Sequence, residues 1–336
     1  MAERIGIIGG GSWATSLAIL LSKKNYKIDL WVRDDKQSDE IKVSRENIKY
    51  LPGVVVPESV NITNDLSKAL KDKNIILMAV PSHAVRETLE KGKSYIKPEQ
   101  IIVNVAKGIE NNTLLRLSQV VAEILPQNKY AILSGPSHAE EVAIDIPTTV
   151  VAASDCKKTA KYVQDIFIGP KFRVYTNSDV IGVELGGSIK NIIALGAGIS
   201  DGLGYGDNTK AALMTRGIIE MGRLGERMGA EKSTFAGLAG IGDLIVTCTS
   251  MHSRNRRAGI LIGEGLSLDE AIEKIGMVVE GIKTTKSAYE LSLKYDVEMP
   301  ITKELYGVLY EGKDVKNSVV NLMLRDKKHE MADIII

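Results

Sequence analysis

A chain of 336 residues has room for a large core and, at roughly 150 residues per domain, for two domains. Its 43 Lys and Arg against 42 Asp and Glu leave a net charge of +1, so no global field draws in nucleic acid or an anionic membrane, and any anion site must be local. With 44% hydrophobic and 25% charged residues it is neither disordered nor collagenous, and Cys156 and Cys248, without metal-ligand spacing or a disulfide framework, fit a reducing cytoplasm and a metal-free protein.

In chain order, β-branched runs at 4–8, 28–32, 75–80, 101–105, 131–133, 148–151 and 172–175 alternate with helical patterns at 13–23, 65–71, 83–92 and 113–125. This rhythm predicts an α/β domain over 1–178, a Rossmann-type doubly wound parallel sheet with helices on both faces. Past Asn177 the β-runs stop. Helical patterns at 180–199, 209–228, 254–264, 267–275 and 284–295 predict an all-α domain over 179–336, packed directly on the first because no Pro/Ser-rich linker intervenes.

The first strand hands over to a helix through Gly9-Gly10-Gly11-Ser12-Trp13-Ala14, a dinucleotide-binding fingerprint with Ala in its third small position. Gly9 permits the tight turn, Gly11 lets the backbone approach a pyrophosphate, and Ala14 lets the helix lie on the sheet, while the unpaired N–H groups of the helix start hold the anion. The uncharged stretch 5–22 is split by Gly9 to Ser12 and lacks a signal peptide's unbroken apolar core, so neither secretion nor membrane insertion is expected; no other segment reads as long and apolar enough to span a bilayer. Where NAD enzymes end the second strand with a carboxylate, this chain has Val32 followed by Arg33. A guanidinium there can pair with a 2′-phosphate or stack on adenine, so NADPH is expected to be accepted. The competing reading pairs an exposed Arg33 with Asp34 or Asp35.

In the helical half, Leu185, Ile189, Ile192 and Ile193 make an apolar stripe, and Lys190 lies on another face among Gly186, Gly187, Ala194, Ala197 and Gly198. Each glycine inside a helix is unfavourable by up to about 1 kcal/mol relative to Ala, so this face asks for close approach of another body, either a packed helix or a nicotinamide ring with its substrate. A lysine buried there loses proton affinity through desolvation and cationic neighbours, which makes it a usable proton donor near neutrality. Lys107, at the C-terminal end of a strand in Val105-Ala106-Lys107-Gly108, is such a neighbour, although alone it reads as a surface lysine. Asp243 closes what reads as a flexible turn, Gly240-Ile241-Gly242-Asp243, and can either orient the amine or be an ordinary turn aspartate.

Ser253-Arg254-Asn255-Arg256-Arg257 opens a helix with Ser253 as N-cap and three arginines at the positive end of the dipole. A substrate phosphate held by Arg254 and Asn255 resolves that conflict, as does a solvated basic turn or a carboxylate supplied from elsewhere. The histidines at 83, 138, 252 and 329 show no metal pattern, and Cys248 reads as a small core residue.

Taken together, these blocks resemble the bacterial-type NAD(P)-dependent glycerol-3-phosphate dehydrogenases over nearly the whole chain. The resemblance also rests on Val80-Pro81-Ser82-His83, Ser134-Gly135-Pro136-Ser137-His138-Ala139, Lys190-Asn191, Gly242-Asp243-Leu244, Thr247-Cys248-Thr249 and Val278-Val279-Glu280-Gly281. It implies a second domain like the C-terminal domain of 6-phosphogluconate dehydrogenase. It also implies reversible reduction of dihydroxyacetone phosphate to sn-glycerol 3-phosphate for glycerophospholipid synthesis, with hydride passing from nicotinamide C4 to substrate C2 and Lys190 as general acid and base. The same resemblance puts Ser12, Trp13, Arg33, Lys107, Ala139, Arg254, Val278 and Glu280 at NAD(P), beside the fingerprint residues Gly9, Gly11 and Ala14. Substrate would meet Lys107, Gly135, Ser137, Lys190, Asp243, Ser253, Arg254 and Asn255, with Lys190, Asp243 and Lys107 as the catalytic group. A cytoplasmic homodimer is the expected assembly. Ala14 departs from the Gly of many relatives, and Ser137 stands where Thr or Asn also occurs.

Two other functions fit the residues. A reductase of 2-keto acids such as ketopantoate would remain active after Arg254→Ala, and a non-catalytic NADPH sensor would tolerate Lys190→Ala. The role of the apolar residues 334–336 is left open by the sequence.

Overall fold

The computed structural model describes residues 2–327, 329 and 330, so 334–336 lie outside the described residues. By its contacts the chain forms two compact units: one holds the chain up to Ala106 together with Leu117–Val180, the other Lys107–Arg116 and the chain from Ile181 onward.

The first unit is built on strands β1 (Arg4–Ile8), β2 (Lys27–Trp31), β3 (Glu46–Asn47), β4 (Leu51–Val55), β5 (Val60–Thr63), β6 (Ile75–Met78), β7 (Ile101–Asn104), β8 (Tyr130–Ser134), β9 (Thr148–Ala153) and β10 (Phe172–Asn177). Eight of them form one sheet in the order β10-β9-β8-β7-β6-β1-β2-β5, and β3 and β4 make a small antiparallel hairpin beside it. The sheet is parallel except that β8 and β9 run antiparallel, with Ile132 opposite Ala153, which corrects the expectation of an all-parallel sheet. Its central strands are mostly apolar because helices cover both faces: β6, Ile-Ile-Leu-Met, is buried at every residue. The chain winds out from β1 through β2 to β5, then returns to lay β6 on the other side of β1. That reversal puts a topological switch point at the carboxyl end of β1, where open α/β sheets leave a crevice for ligands.

The second unit is helical, and its longest element, Val180–Gly202, is buried at every residue from 182 to 200. An all-round buried helix is a core axis, not an amphipathic one, so the stripe-and-face reading of this segment is incomplete. By length and hydropathy it could cross a bilayer, contrary to the expectation that no such segment exists, but 94% of its apolar window is enclosed by protein.

The Arg254–Gly263 helix lies against this axis in backbone contact. A Cβ on Gly198 would come 2.0 Å from the Arg256 carbonyl oxygen, and one on Gly202 2.3 Å from that of Ile260; reciprocally, Gly259 would meet the Leu195 oxygen at 2.1 Å and Gly263 that of Ile199 at 2.4 Å. Gly186 receives the Ala239 carbonyl in the same way, at 2.5 Å from its missing Cβ. Of the two bodies the sequence allows at Gly186 and Gly198, the structure supplies protein backbone.

The helical pattern expected over 113–125 is realised only as Leu117–Ile124. Leu114 takes a left-handed φ of 60° and Ile109 bridges to Arg116, so the preceding residues form a closed loop. Lys107–Arg116 belongs to the helical unit because Ile109 packs into its core and Arg116 pairs with Glu184 at 2.6 Å.

Candidate active site

The glycine turn of the first unit follows from backbone geometry. Gly9 has φ 143°, a region closed to most side chains, and a Cβ there would lie 2.6 Å from the Ala79 carbonyl oxygen. Gly11, by contrast, has nothing within 4 Å of where its Cβ would be. Gly11 is also the N-cap of the Ser12–Ser22 helix, where no side chain caps the first N–H groups and no acidic residue stands in the first turn. An uncapped helix start beside open space fits an anionic group such as a dinucleotide pyrophosphate. Ala14 is fully buried and Trp13 packs partly buried against the sheet's core.

Arg33 is exposed just beyond β2. Its acidic neighbours are engaged otherwise: Asp34 caps the Asp35–Ser44 helix by accepting from the Gln37 N–H at 2.8 Å, and Asp35 accepts from Asn64, also at 2.8 Å. In the same unit Gly135 has φ 135°, with its missing Cβ 3.0 Å from Val150 Cα. The Ser137 hydroxyl donates to the Gly135 carbonyl at 2.9 Å, and Ala139 starts a short helix.

In the second unit Lys107, Lys190 and Asp243 meet. Lys190 is 5% exposed and Asp243 1%. The Lys190 ammonium donates to one carboxylate oxygen of Asp243 and, at 2.7 Å, to the Thr247 hydroxyl; Lys107 donates to the other carboxylate oxygen at 2.5 Å. Thr247 in turn donates to the Asp243 carbonyl at 2.6 Å. Burial lowers the Lys190 pKa to about 7, with Asp243 opposing the shift and the positive charge of Lys107 adding to it. Burial works against the charged form of Asp243 as well, but Lys107 and then Lys190 outweigh it and hold that carboxyl below its usual range.

Asp243 does not sit in a flexible turn as expected. A π-helical turn, Leu238–Gly242, runs straight into the Asp243–Thr249 helix, and Gly240 is packed so tightly that a Cβ would lie 2.0 Å from the Phe235 carbonyl oxygen. Thr247, four residues on, shares the helix face of Asp243, and that i,i+4 spacing is the sequence signal that points to it. Cys248 is fully buried, and burial pushes its thiol up to about 12, so it stays protonated.

Ser253 caps the Arg254–Gly263 helix, accepting from the Arg256 N–H at 3.2 Å. Asn255 is buried and tied: its side chain donates to Asn191 at 2.9 Å and accepts from the Gly281 N–H at 2.8 Å. Arg256 turns away to Asp201, so only part of the arginine cluster calls for an external anion, the rest of the conflict being resolved by an internal carboxylate. Val278 and Glu280 are half-buried around the start of the Glu280–Lys294 helix. Among the described residues no three His, Cys, Asp or Glu gather as a metal site.

Residues 4–160 match the family model for the NAD-dependent glycerol-3-phosphate dehydrogenase N-terminus, and 179–320 that for its C-terminus. A glycerol-3-phosphate dehydrogenase [NAD(P)+] of Clostridium tetani is 59% identical over 326 residues, 97% of this chain and 93% of that protein. One from Thermoanaerobacter is 58% identical over 98% of this chain and 100% of its own length. The crystal structure of glycerol-3-phosphate dehydrogenase from Coxiella burnetii superposes with a TM-score of 0.94 at 42% identity, covering 96% of this chain and 99% of that one.

Proposed function

The chain belongs to the NAD-dependent glycerol-3-phosphate dehydrogenase family, and on that premise we propose that it reversibly reduces dihydroxyacetone phosphate to sn-glycerol 3-phosphate with NAD(P)H, supplying glycerophospholipid synthesis. The observation that carries the reading is the buried Lys190 ammonium, which shares the Asp243 carboxylate with Lys107 and is poised near neutrality. Membership in this family favours it over a 2-keto acid reductase or an NADPH sensor.

The reading gives 1–178 the role of the dinucleotide-binding domain and 179–336 that of the substrate domain. Gly9, Gly11, Ser12, Trp13, Ala14, Arg33, Lys107, Ala139, Arg254, Val278 and Glu280 hold NAD(P), and the nicotinamide, when bound, supplies the hydride that reaches C2 of the ketone. Lys190 donates a proton to the C2 oxygen as negative charge develops there, and takes it back in the reverse direction. Asp243 holds that ammonium in place through one oxygen, and Lys107 adds positive potential where the alkoxide forms. Arg254 and the main-chain N–H groups behind Ser253 grip the phosphate, joined by the second amide proton of Asn255, while Gly135 and Ser137 complete the substrate contacts. Anchoring the phosphate fixes C2 relative to the amine.

A homodimeric assembly and a cytoplasmic location complete the proposal, the location being supported by two cysteines that form no disulfide. Loss of nicotinamide absorbance on mixing the protein with NADH or NADPH and dihydroxyacetone phosphate tests it. Turnover is expected with this ketone and not with ketopantoate, and Lys190→Ala is expected to abolish it; turnover of ketopantoate alone would overturn the reading.

A further inference from the structure

We propose that Asp201 and Arg256 are positioning residues that set substrate specificity by fixing the phosphate anchor to the helix that carries Lys190. The inference rests on the reading of Ser253, Arg254 and Asn255 as that anchor.

Arg256 does not face the anchor. Its Nε donates to one Asp201 oxygen at 2.8 Å, one terminal nitrogen stands 2.8 Å from the same oxygen in an ion pair, and the other terminal nitrogen donates to the Thr249 carbonyl at 2.9 Å. Thr249 ends the helix that begins with Asp243, and Arg256 lies in the first turn of the next helix. One guanidinium therefore spans the connection that delivers Ser253, Arg254 and Asn255, tying both of its ends to Asp201. The other Asp201 oxygen forms an ion pair with Lys210 at 2.8 Å, and both the Asp201 and Arg256 side chains are largely withdrawn from solvent.

Asp201 lies on the same helix as Lys190, eleven residues further on, about three turns and hence on the same side. The main chain of Arg256 is seated on that helix too, with its carbonyl oxygen in the gap left by Gly198. Proton donor and anchor are thus both referred to one buried helix, through backbone contact at Gly198 and through charge at Asp201. A ligand is matched when its carbonyl and its phosphate are separated by the distance this frame holds constant. Loosening the clamp lets the anchor shift while Lys190, Asp243 and Lys107 stay as they are.

The test compares kcat/KM for dihydroxyacetone phosphate with that for dihydroxyacetone, which has the same carbonyl and no phosphate. Asp201→Asn and Arg256→Lys, which keep size or charge but lose the forked contact, are each expected to lower the phosphorylated-to-free ratio by ~10- to 100-fold, since small misplacements cost that much in rate. Activity on dihydroxyacetone itself should stay within about twofold, and the double variant should lose no more than either single one, because both break the same link. Lys210→Met, which removes the other cation on Asp201 and leaves Arg256 in place, should keep the ratio. If the unaltered enzyme reduces both ketones equally, the anchor reading fails. If it prefers the phosphate and Asp201→Asn and Arg256→Lys preserve that preference, or lower both activities alike, the positioning role fails.

Discussion

Lys190 donates to Asp243 from a position with almost no contact with water, so its charge is maintained against desolvation by that one carboxylate. With its pKa lowered to about 7, the amine changes protonation within the working range of an enzyme. Ketone reduction needs the charged form, so kcat/KM for dihydroxyacetone phosphate should fall above pH 7, approaching tenfold per unit. Oxidation of glycerol 3-phosphate needs the neutral form and should rise through the same pH. Steady-state rates in both directions between pH 5.5 and 9 check this; parallel profiles would exclude Lys190 as the group that gains and loses the proton.

The two neighbours of Lys190 push its pKa in opposite directions, which gives variants of opposite sign. Lys107→Met removes a cation that lowers it, so the descending limb of reduction should move to higher pH. Asp243→Asn removes the carboxylate that raises it, moving the limb to lower pH and depressing reduction at neutrality. Displacement of both limbs in one direction would show that the coupling has been read wrongly.

Gly11 and Gly198 should respond differently to the same added methyl group. Gly198→Ala drives a Cβ to 2.0 Å from a helix carbonyl that can move only with its helix, and is expected to destabilise by about 1–3 kcal/mol, several degrees in Tm. Gly11→Ala meets no protein atom within 4 Å, so Tm should stay unchanged while the KM for NAD(P)H rises. Thermal melts beside cofactor titrations separate the two effects.

Arg33, exposed and with its acidic neighbours otherwise engaged, is available for a 2′-phosphate. Arg33→Ala is expected to raise the KM for NADPH by roughly tenfold, in line with the loss of a charge-assisted contact, and to change that for NADH much less. An unchanged KM for NADPH removes Arg33 from the cofactor site.

What could be read from the sequence follows how local each signal is. Seven strands are legible as short runs rich in β-branched and apolar residues, whereas β5, with exposed Asn61, and the hairpin strand β4, with Pro52 and Gly53, break that pattern. Lys107, Lys190 and Asp243 could be grouped on chemical need, and their side chains do meet. The glycines around Lys190 were ambiguous in principle, since a helix and a ligand both require a missing Cβ. Arg256 is left open by the sequence for a similar reason: arginines at a helix start look the same whether they await an anion or reach a carboxylate 55 residues upstream, and only tertiary structure brings Asp201 there.

The loop Lys107–Arg116 has a bearing on how such a protein can be cut or recombined. A gene fragment beginning at 179 would encode Asp243 without the ammonium on its outer oxygen, and Glu184 without Arg116. Exchanging N-terminal halves between cousins would likewise import a foreign lysine next to a resident aspartate. Modular shuffling of the two halves is therefore constrained by ten residues encoded in one half and folded into the other.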